Sequence, residues 1–148
     1  MSTAFHQIVQ GIIDALLVSP AIASGHVDRP RRHPVPAEWA SHVEVRLARA
    51  DGEWPYVGPN TPGQWTSAIA VDCYARANPG DQPDATLDAL LDAVATRVRA
   101  ITLSGLGVID VMPSLAIDWD WAEGATPQAL ASLQLVVKHD TRSAGLAP

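Results

Sequence analysis

Two aspartates flanked by tryptophans come nearest to an active-site motif in this chain. Asp118 and Asp120 alternate with Trp119 and Trp121, so an extended strand places both carboxylates on one face and both indoles on the other. Paired carboxylates carry out glycoside hydrolysis. A half-buried strand with one wet and one dry face produces the same alternation. The pattern favours the structural interpretation and leaves a small-ligand-binding or carbohydrate-active domain that uses Asp118 and Asp120 as an alternative.

The other reactive side chains form no recognisable constellation. Metal-binding sequences typically contain closely spaced pairs of ligand residues. The five histidines form no such pair; they are His6, His26, His33, His42 and His139. Cys73 lies in a strand-like segment that predicts a buried, inert thiol. The segment Ser104–Gly107 follows a helix, so its glycines indicate a helix end rather than a phosphate-binding loop. We therefore expect no enzyme activity, no metal and no cofactor.

Composition narrows the remaining classes. The 148 residues fit a single domain, and the formal charge of −6 argues against a general nucleic-acid binder. One cysteine excludes an intrachain disulfide framework. No stretch approaches the roughly 20 apolar residues of a membrane span, and the first apolar segment lacks the basic flank of a signal peptide. We expect a soluble protein that is made in the cytoplasm and does not enter a membrane.

Two amphipathic helices are predicted to cover the core. Apolar residues recur every three or four positions in residues 3–18, where Ser2 or Thr3 suits an N-cap and Ser19-Pro20 ends the pattern. The same spacing recurs in residues 84–102, with acids early and arginines late, as the helix dipole favours. Leu91, in the apolar stripe of the second helix, is expected to be essential for folding.

Alternating segments predict the strands. They are His42–Arg49, Trp65–Arg76, Leu106–Val111, Leu115–Trp121 and Leu130–Asp140, with a short edge strand within Val27–Arg31. The predicted fold class is α+β, with a mainly antiparallel sheet of about five strands and both helices (3–18, 84–102) on one face; a mixed sheet is left open. Residues 1–140 are expected to form a single domain and residues 141–148 a flexible tail. Trp65–Arg76 is apolar on both faces, which indicates a central strand or one covered on its second side by another subunit.

Two surface features suggest contacts with other proteins. Arg29, Arg31 and Arg32 form a basic segment beside His33, which is either a solvated loop or a contact for acids of a neighbouring subunit or for passing DNA. Trp54 and Tyr56 lie in a Gly/Pro-rich stretch, where aromatic residues either anchor an interface or pack back onto the sheet. These five residues are the predicted interface with other subunits or with a partner protein.

In order, length and pattern of elements, the chain resembles the tail terminator proteins of long-tailed bacteriophages, also called minor tail or tail completion proteins, including the lambda-like type. The elements that carry the resemblance are the opening helix Phe5–Leu17, the strand His42–Arg49, the Pro/Gly-rich stretch into Trp65–Arg76, the helix Asp84–Thr102, and the segments Ile117–Trp121 and Leu133–His139. Head–tail connector or neck proteins of similar size share much of this order.

The resemblance implies a non-enzymatic structural protein of a phage or prophage. Such a protein forms a ring, expected to be a hexamer, which caps the tail tube, ends its polymerisation and presents a joining surface to the head. The implied partners are other copies of the chain, the tail-tube protein and a head-completion protein, with DNA only as passing cargo. The implied location is the virion tail, assembled in the cytoplasm of the bacterial host.

Overall fold

A five-stranded mixed sheet forms the frame of the chain in the computed structural model. The structure describes residues 2–31, 33–54, 58, 61–77, 82–103, 108–122, 128–142 and 145–147, with 109–119, 121 and 122 described by backbone alone. The strands are β1 (Val27–Asp28), β2 (Ser41–Glu53), β3 (Gly63–Arg76), β4 (Val108–Ala122) and β5 (Gln128–Thr141). Their order is β1-β2-β3-β5-β4, with β1 parallel to β2 and every other pair antiparallel. The predicted α+β class with a mainly antiparallel sheet is confirmed.

The two predicted helices are α1 (Ala4–Leu17) and α2 (Asp84–Arg99), slightly shorter than residues 3–18 and 84–102. Thr3 caps α1, because its Oγ1 accepts a hydrogen bond from the His6 amide at 3.3 Å. Pro83 occupies the N-cap position of α2. There its missing N–H removes a donor that the helix would leave unpaired.

Both helices pack on one face of the sheet and enclose the core. α1 lies over β1 and β2, and α2 contacts β3, β5 and β4. The core contains fully buried side chains from both layers, among them Ile8, Ile12, Leu87, Val71 and Leu135. Each such side chain contributes about 1.5–3 kcal/mol through burial. The opposite face, called here the open face, has no helix among the described residues.

In place of β4, the sequence predicted two strands separated by a turn at Pro113-Ser114. In the structure β4 is one strand from Val108 to Ala122, and its register against β5 shifts between Pro113 and Ile117. Proline cannot donate a ladder hydrogen bond, but an edge strand tolerates that loss. Because β4 lies at the edge of the sheet, Pro113 shifts the register rather than ending the strand.

The chain ends meet at one end of the sheet. The Ala4 amide donates to the carbonyl oxygen of Leu146 at 2.7 Å, and the Arg142 amide donates to that of Ala147 at 3.0 Å. Residues at both ends of the chain are thus joined by backbone hydrogen bonds. The predicted boundary at residue 140 and the predicted flexibility of the tail stay predictions.

Candidate functional site

The two described arginines of the predicted basic segment are held in fixed positions. Arg29 donates from Nη2 to the backbone carbonyl of His6 at 2.9 Å, which ties the segment to α1. Arg31 pairs with Asp28 at 2.8 Å, and its guanidinium lies 4.3 Å from the centre of the Trp39 ring. The structure therefore brings Arg29 and Arg31 to one flank beside α1. Arg32 lies outside the described residues.

A groove opens between α1 and β1 beside these arginines. Its volume is about 540 Å³, and its lining combines apolar and cationic side chains: Gln10, Ile13, Leu17, Val27, Asp28, Arg29, Arg31 and His33. Leu17, in the last turn of α1, is 38 % exposed and contributes apolar surface to the groove. We call this feature the basic groove. An apolar floor with a cationic rim is a surface to which an acidic, partly apolar segment can bind.

Behind the basic groove, four aromatic rings stack across the end of the open face. His26 lies on Trp39 with ring centres 3.9 Å apart, and His42 lies 5.6 Å from both Trp39 and Tyr74. Arg76 fixes the covering loop by donating to the carbonyl oxygens of Val35 and Pro36. Local sequence patterns gave no sign of this stack, because its rings come from four separate segments.

His42 is a neutral, buried member of that stack. Burial lowers the pKa of His42, and the nearby Arg31 charge lowers it further. Its Nε2 lies 3.9 Å from Glu44 Oε1, and neither ring nitrogen has a hydrogen-bond partner among the described residues. Since the lowered pKa favours the neutral ring, the contact with Glu44 is not an ion pair at neutral pH.

Trp54 packs partly and stays partly exposed. Its ring meets Trp65 edge-on with centres 5.4 Å apart, yet 52 % of Trp54 is exposed. Trp65 in turn contacts Phe5 edge-on and donates from Nε1 to Thr141 Oγ1 at 3.1 Å. Gly52 provides the space, since a Cβ there would lie 2.6 Å from the Trp65 ring. Trp54 therefore packs back onto the sheet, as one interpretation predicts, and also leaves exposed aromatic surface that an interface anchor would need. Tyr56 lies outside the described residues.

The open face carries a charged network at its centre. Asp72, only 6 % exposed, accepts hydrogen bonds from Arg46 Nε at 2.9 Å and from Ser132 Oγ. In the β4–β5 register Asp118 lies opposite Ser132 and Asp120 opposite Leu130. This register places Asp118 and Asp120 at backbone positions that belong to the open face, and Asp120 is exposed. The Asp118 side chain is outside the described part, so the ligand-site alternative stays a prediction.

One arrangement that sequence reasoning missed is a serine–histidine pair. Ser67 Oγ lies 3.0 Å from His139 Nε2, as a nucleophile and its base would. Both side chains are fully buried, Phe5 packs edge-on against the imidazole, and burial lowers the pKa of His139. No described residue accepts from or donates to His139 Nδ1, so no third group orients the ring. The pair is a buried hydrogen bond, and His139 also lines a pocket of about 280 Å³ together with Trp65 and Lys138.

The remaining candidates for chemistry can be placed. Cys73 is buried as predicted, and burial raises its pKa to about 12, which suppresses the reactive thiolate. Within the described ranges no three His, Cys, Asp or Glu side chains are grouped to hold a metal ion. Neither described helix has the length and apolar character needed to cross a membrane.

The comparisons with known proteins bear on the fold. No protein-family model matches this chain, and no curated protein matches it. Among solved structures, a chain of the "Virion of native gene transfer agent (GTA) particle" superimposes with a TM-score of 0.57 at 18 % sequence identity. The match covers 90 % of this chain and 93 % of that chain. The two chains therefore share one fold over nearly their whole lengths.

Proposed function

We propose that this chain is a structural protein of a phage-like virion and that it acts as a tail terminator. In that role it caps the tail tube, ends its polymerisation and forms the surface that joins the head. The observation that carries the proposal is the shared fold with a gene transfer agent virion chain over nine-tenths of both chains. The order of elements resembles that of the terminator family, and for this reason we favour the terminator role over that of a connector or neck protein.

A ring is the assembly that such a role requires, and we propose a hexamer. Rings are built from heterologous contacts, in which two different surfaces of each subunit meet. The chain offers unlike surfaces: a basic groove on the β1 flank and exposed carboxylates on α2. Its net charge of −6 suits a channel that lets DNA pass without binding it, because like charges repel.

The proposed role needs no catalysis, and the described side chains support a protein without it. The Ser67 and His139 side chains are fully buried, and burial raises the pKa of the Cys73 thiol to about 12. The partners we propose are further copies of the chain, the tail-tube protein and a head-completion protein. Assembly would take place in the host cytoplasm and leave the protein in the virion tail.

Deleting the gene in cells that produce the particle tests the role directly. A terminator is expected to leave tails of uncontrolled length that carry no heads, and a plasmid copy of the gene restores normal particles. Electron microscopy measures tail length and the fraction of joined heads. Tails of normal length without heads would instead indicate a connector or neck protein of the same fold. Normal particles in the deletion strain would refute both roles.

Labelling the protein in intact particles locates it independently. A terminator is expected at the head-proximal end of the tail tube, in about six copies per particle if the ring is hexameric. Gold-labelled antibody against a surface tag and quantitative mass spectrometry provide the position and the copy number. Label on the head shell, or its absence from purified particles, would contradict the proposal.

A further inference from the structure

Helix α2 carries an acidic stripe on its solvent side. Asp84, Asp88 and Asp92 recur every fourth residue and are all exposed. Residues four apart lie one above the other on a helix, with the small Ala85 and Ala89 beside them. Among the described residues none of the three carboxylates has an ion-pair or hydrogen-bond partner. We call these five residues the acidic stripe.

Asp84 and Asp88 lie on the side of α2 away from α1, whereas Asp92 lines a cleft that it shares with Ala15 and Val18 at the end of α1. Arg97, on the same helix, donates to the carbonyl oxygens of Val18 and Pro20 at the end of α1, at 2.5 and 2.9 Å. Asp88 precedes Arg97 by nine residues, about two and a half turns, so the two side chains leave opposite sides of α2. Arg97 is therefore committed to α1 and does not neutralise Asp88. Arg99, in the last turn of the helix, follows Asp92 by seven residues and therefore lies on the same side of α2.

The basic groove lies at the opposite flank of the same molecule. α1 covers β1 and β2, whereas α2 covers β3, β5 and β4. The edge strands of a five-stranded sheet are separated by four spacings, about 19 Å in total. Groove and stripe therefore point outward from opposite flanks, where they cannot meet within one chain but can meet between neighbouring copies.

Charge and shape in the two surfaces match. Two arginines line the groove against one carboxylate, that of Asp28, and its lining includes the exposed Leu17. The stripe has three unpaired carboxylates and only methyl groups between them. Hydrogen bonds and the Trp39 contact already hold Arg29 and Arg31, so docking costs little further side-chain entropy.

We propose that the acidic stripe of one copy docks into the basic groove of the next copy. The contact joins a helix to a groove, and it is heterologous, so its repetition closes a ring when the rotation per subunit allows. The inference deepens the proposed function, on which it rests for the purpose of the ring, and it names the residues that join the subunits.

Engineered cysteines test the contact. Leu17→Cys lies in the groove and Ala89→Cys in the stripe, and buried Cys73 does not interfere. Under mild oxidation the double variant is expected to form a ladder of covalent oligomers on non-reducing gels, ending at the ring. Each single variant is expected to stay a monomer on the same gel, since a heterologous contact never brings two identical positions together. Single variants that form covalent dimers, or a double variant that forms none, would overturn the proposal.

Charge reversal provides a second measurement. Asp88→Arg and Arg31→Glu are each expected to weaken self-association by about 10-fold or more, as loss of a close charge pair does. Mixing the two variants is expected to restore self-association, because the reversed stripe of Asp88→Arg then meets the reversed groove of Arg31→Glu. Glu53→Lys, an exposed change outside both surfaces, is the matched control and leaves association unchanged. Analytical ultracentrifugation in low and high salt measures the effect, and failure of the mixture to recover would contradict the contact.

The two proposals fail separately. If the double-cysteine variant forms covalent ladders but the deletion strain makes normal particles, the contact is supported and the terminator role is refuted. Overlong tails in the deletion strain, together with a double-cysteine variant that forms no covalent oligomers, would support the terminator role and refute the contact. Protection of Leu17→Cys from maleimide only after tail tubes are added would mean that the groove binds another virion protein, which also overturns the inference.

Discussion

The two faces of the sheet differ in the side chains that the same strands bury on them. On the helix-covered face Val71 and Leu135 are fully buried against α1 and α2. On the open face, one residue further along, Asp72 is also buried, and it accepts hydrogen bonds from Arg46 and Ser132. The Arg46 side chain is 46 % exposed, although its Nε lies 2.9 Å from the carboxylate. One face therefore supplies stability by excluding water, and the other holds polar groups in a fixed geometry at the surface.

This difference separates what folds the chain from what the chain can display. A buried apolar face tolerates changes of size poorly but carries no specificity for a partner. A hydrogen-bonded polar face costs more to build, yet it defines a unique surface. Substitutions on the covered face should therefore reduce the free energy of unfolding strongly, and matched substitutions on the open side should not.

The largest effect is expected from a charge placed in the covered core. Leu91→Asp puts an unpaired carboxylate at a buried position of α2, which should cost more than about 4 kcal/mol and prevent folding. Ala89→Asp, on the exposed side of the same helix, should lower stability by only about 1 kcal/mol, through lost helix propensity and the added charge near Asp92. Circular dichroism with urea unfolding measures both. A folded Leu91→Asp protein would contradict the position of α2 over the sheet.

Two adjacent valines compare the faces directly. Val137 is fully buried on the covered face, while Val136 is half-buried on the open one. Val137→Ala should lower the free energy of unfolding by about 2–3 kcal/mol, through lost burial and the cavity left behind. Val136→Ala should lower it by about 1 kcal/mol or less. Equal losses in urea unfolding of the free protein would mean that the open face is covered too.

Much of this architecture was predictable, because it is encoded locally. The three-to-four spacing around Leu91 identifies α2, and the alternation around Val137 identifies β5 and its two faces. Strand order is not local: β5 lies between β3 and β4, and no pattern within any one strand specifies that neighbour. The continuation of β4 through Pro113 depended on this order, since only an edge position tolerates the proline.

The candidate site was less predictable for the same reason. The sequence shows Arg31 as part of a charge cluster but not that Trp39 and Asp28 hold it. The Ser67–His139 bond joins residues 72 positions apart, through a register that local periodicity does not encode. Arg97, predicted only as a helix-dipole partner, donates to carbonyls at the end of the other helix. Contacts that depend on how two elements are placed emerge only in the folded chain.

The charged network on the open face should contribute a moderate amount to stability. Asp72→Asn removes the charge that Arg46 pairs with and leaves Ser132 a weaker acceptor, at a cost of about 1–2 kcal/mol. Because Arg46 is partly exposed, water replaces some of the lost contact. A double-mutant cycle with Arg46→Gln isolates the pair, and an interaction energy near zero in urea unfolding would show that the network adds nothing to the fold. Arg49→Gln, in the exposed Arg49–Asp51 pair, is the control.

The smallest effect is a pH dependence with one histidine on each face. Burial lowers the pKa of His42 on the open face and of His139 on the covered face, so the unfolded chain binds protons at a higher pH than the folded one does. Stability is therefore complete above the unfolded pKa of about 6.5 and falls as the pH decreases below it, by at most about 1.4 kcal/mol per pH unit for each ring.

Replacing His42 separates the two contributions. His42→Phe keeps a ring between Trp39 and Tyr74 and removes the titration, so its melting temperature should fall less between pH 7 and pH 5 than that of the parent protein. The slope left in His42→Phe includes the contribution of His139, whose contact with Ser67 is enclosed by the helix-covered side, and an opposing contribution from Glu44, whose pKa burial raises. An unchanged slope in His42→Phe would mean that the open face stays accessible enough to water for His42 to titrate normally, which would contradict its burial beneath Trp39.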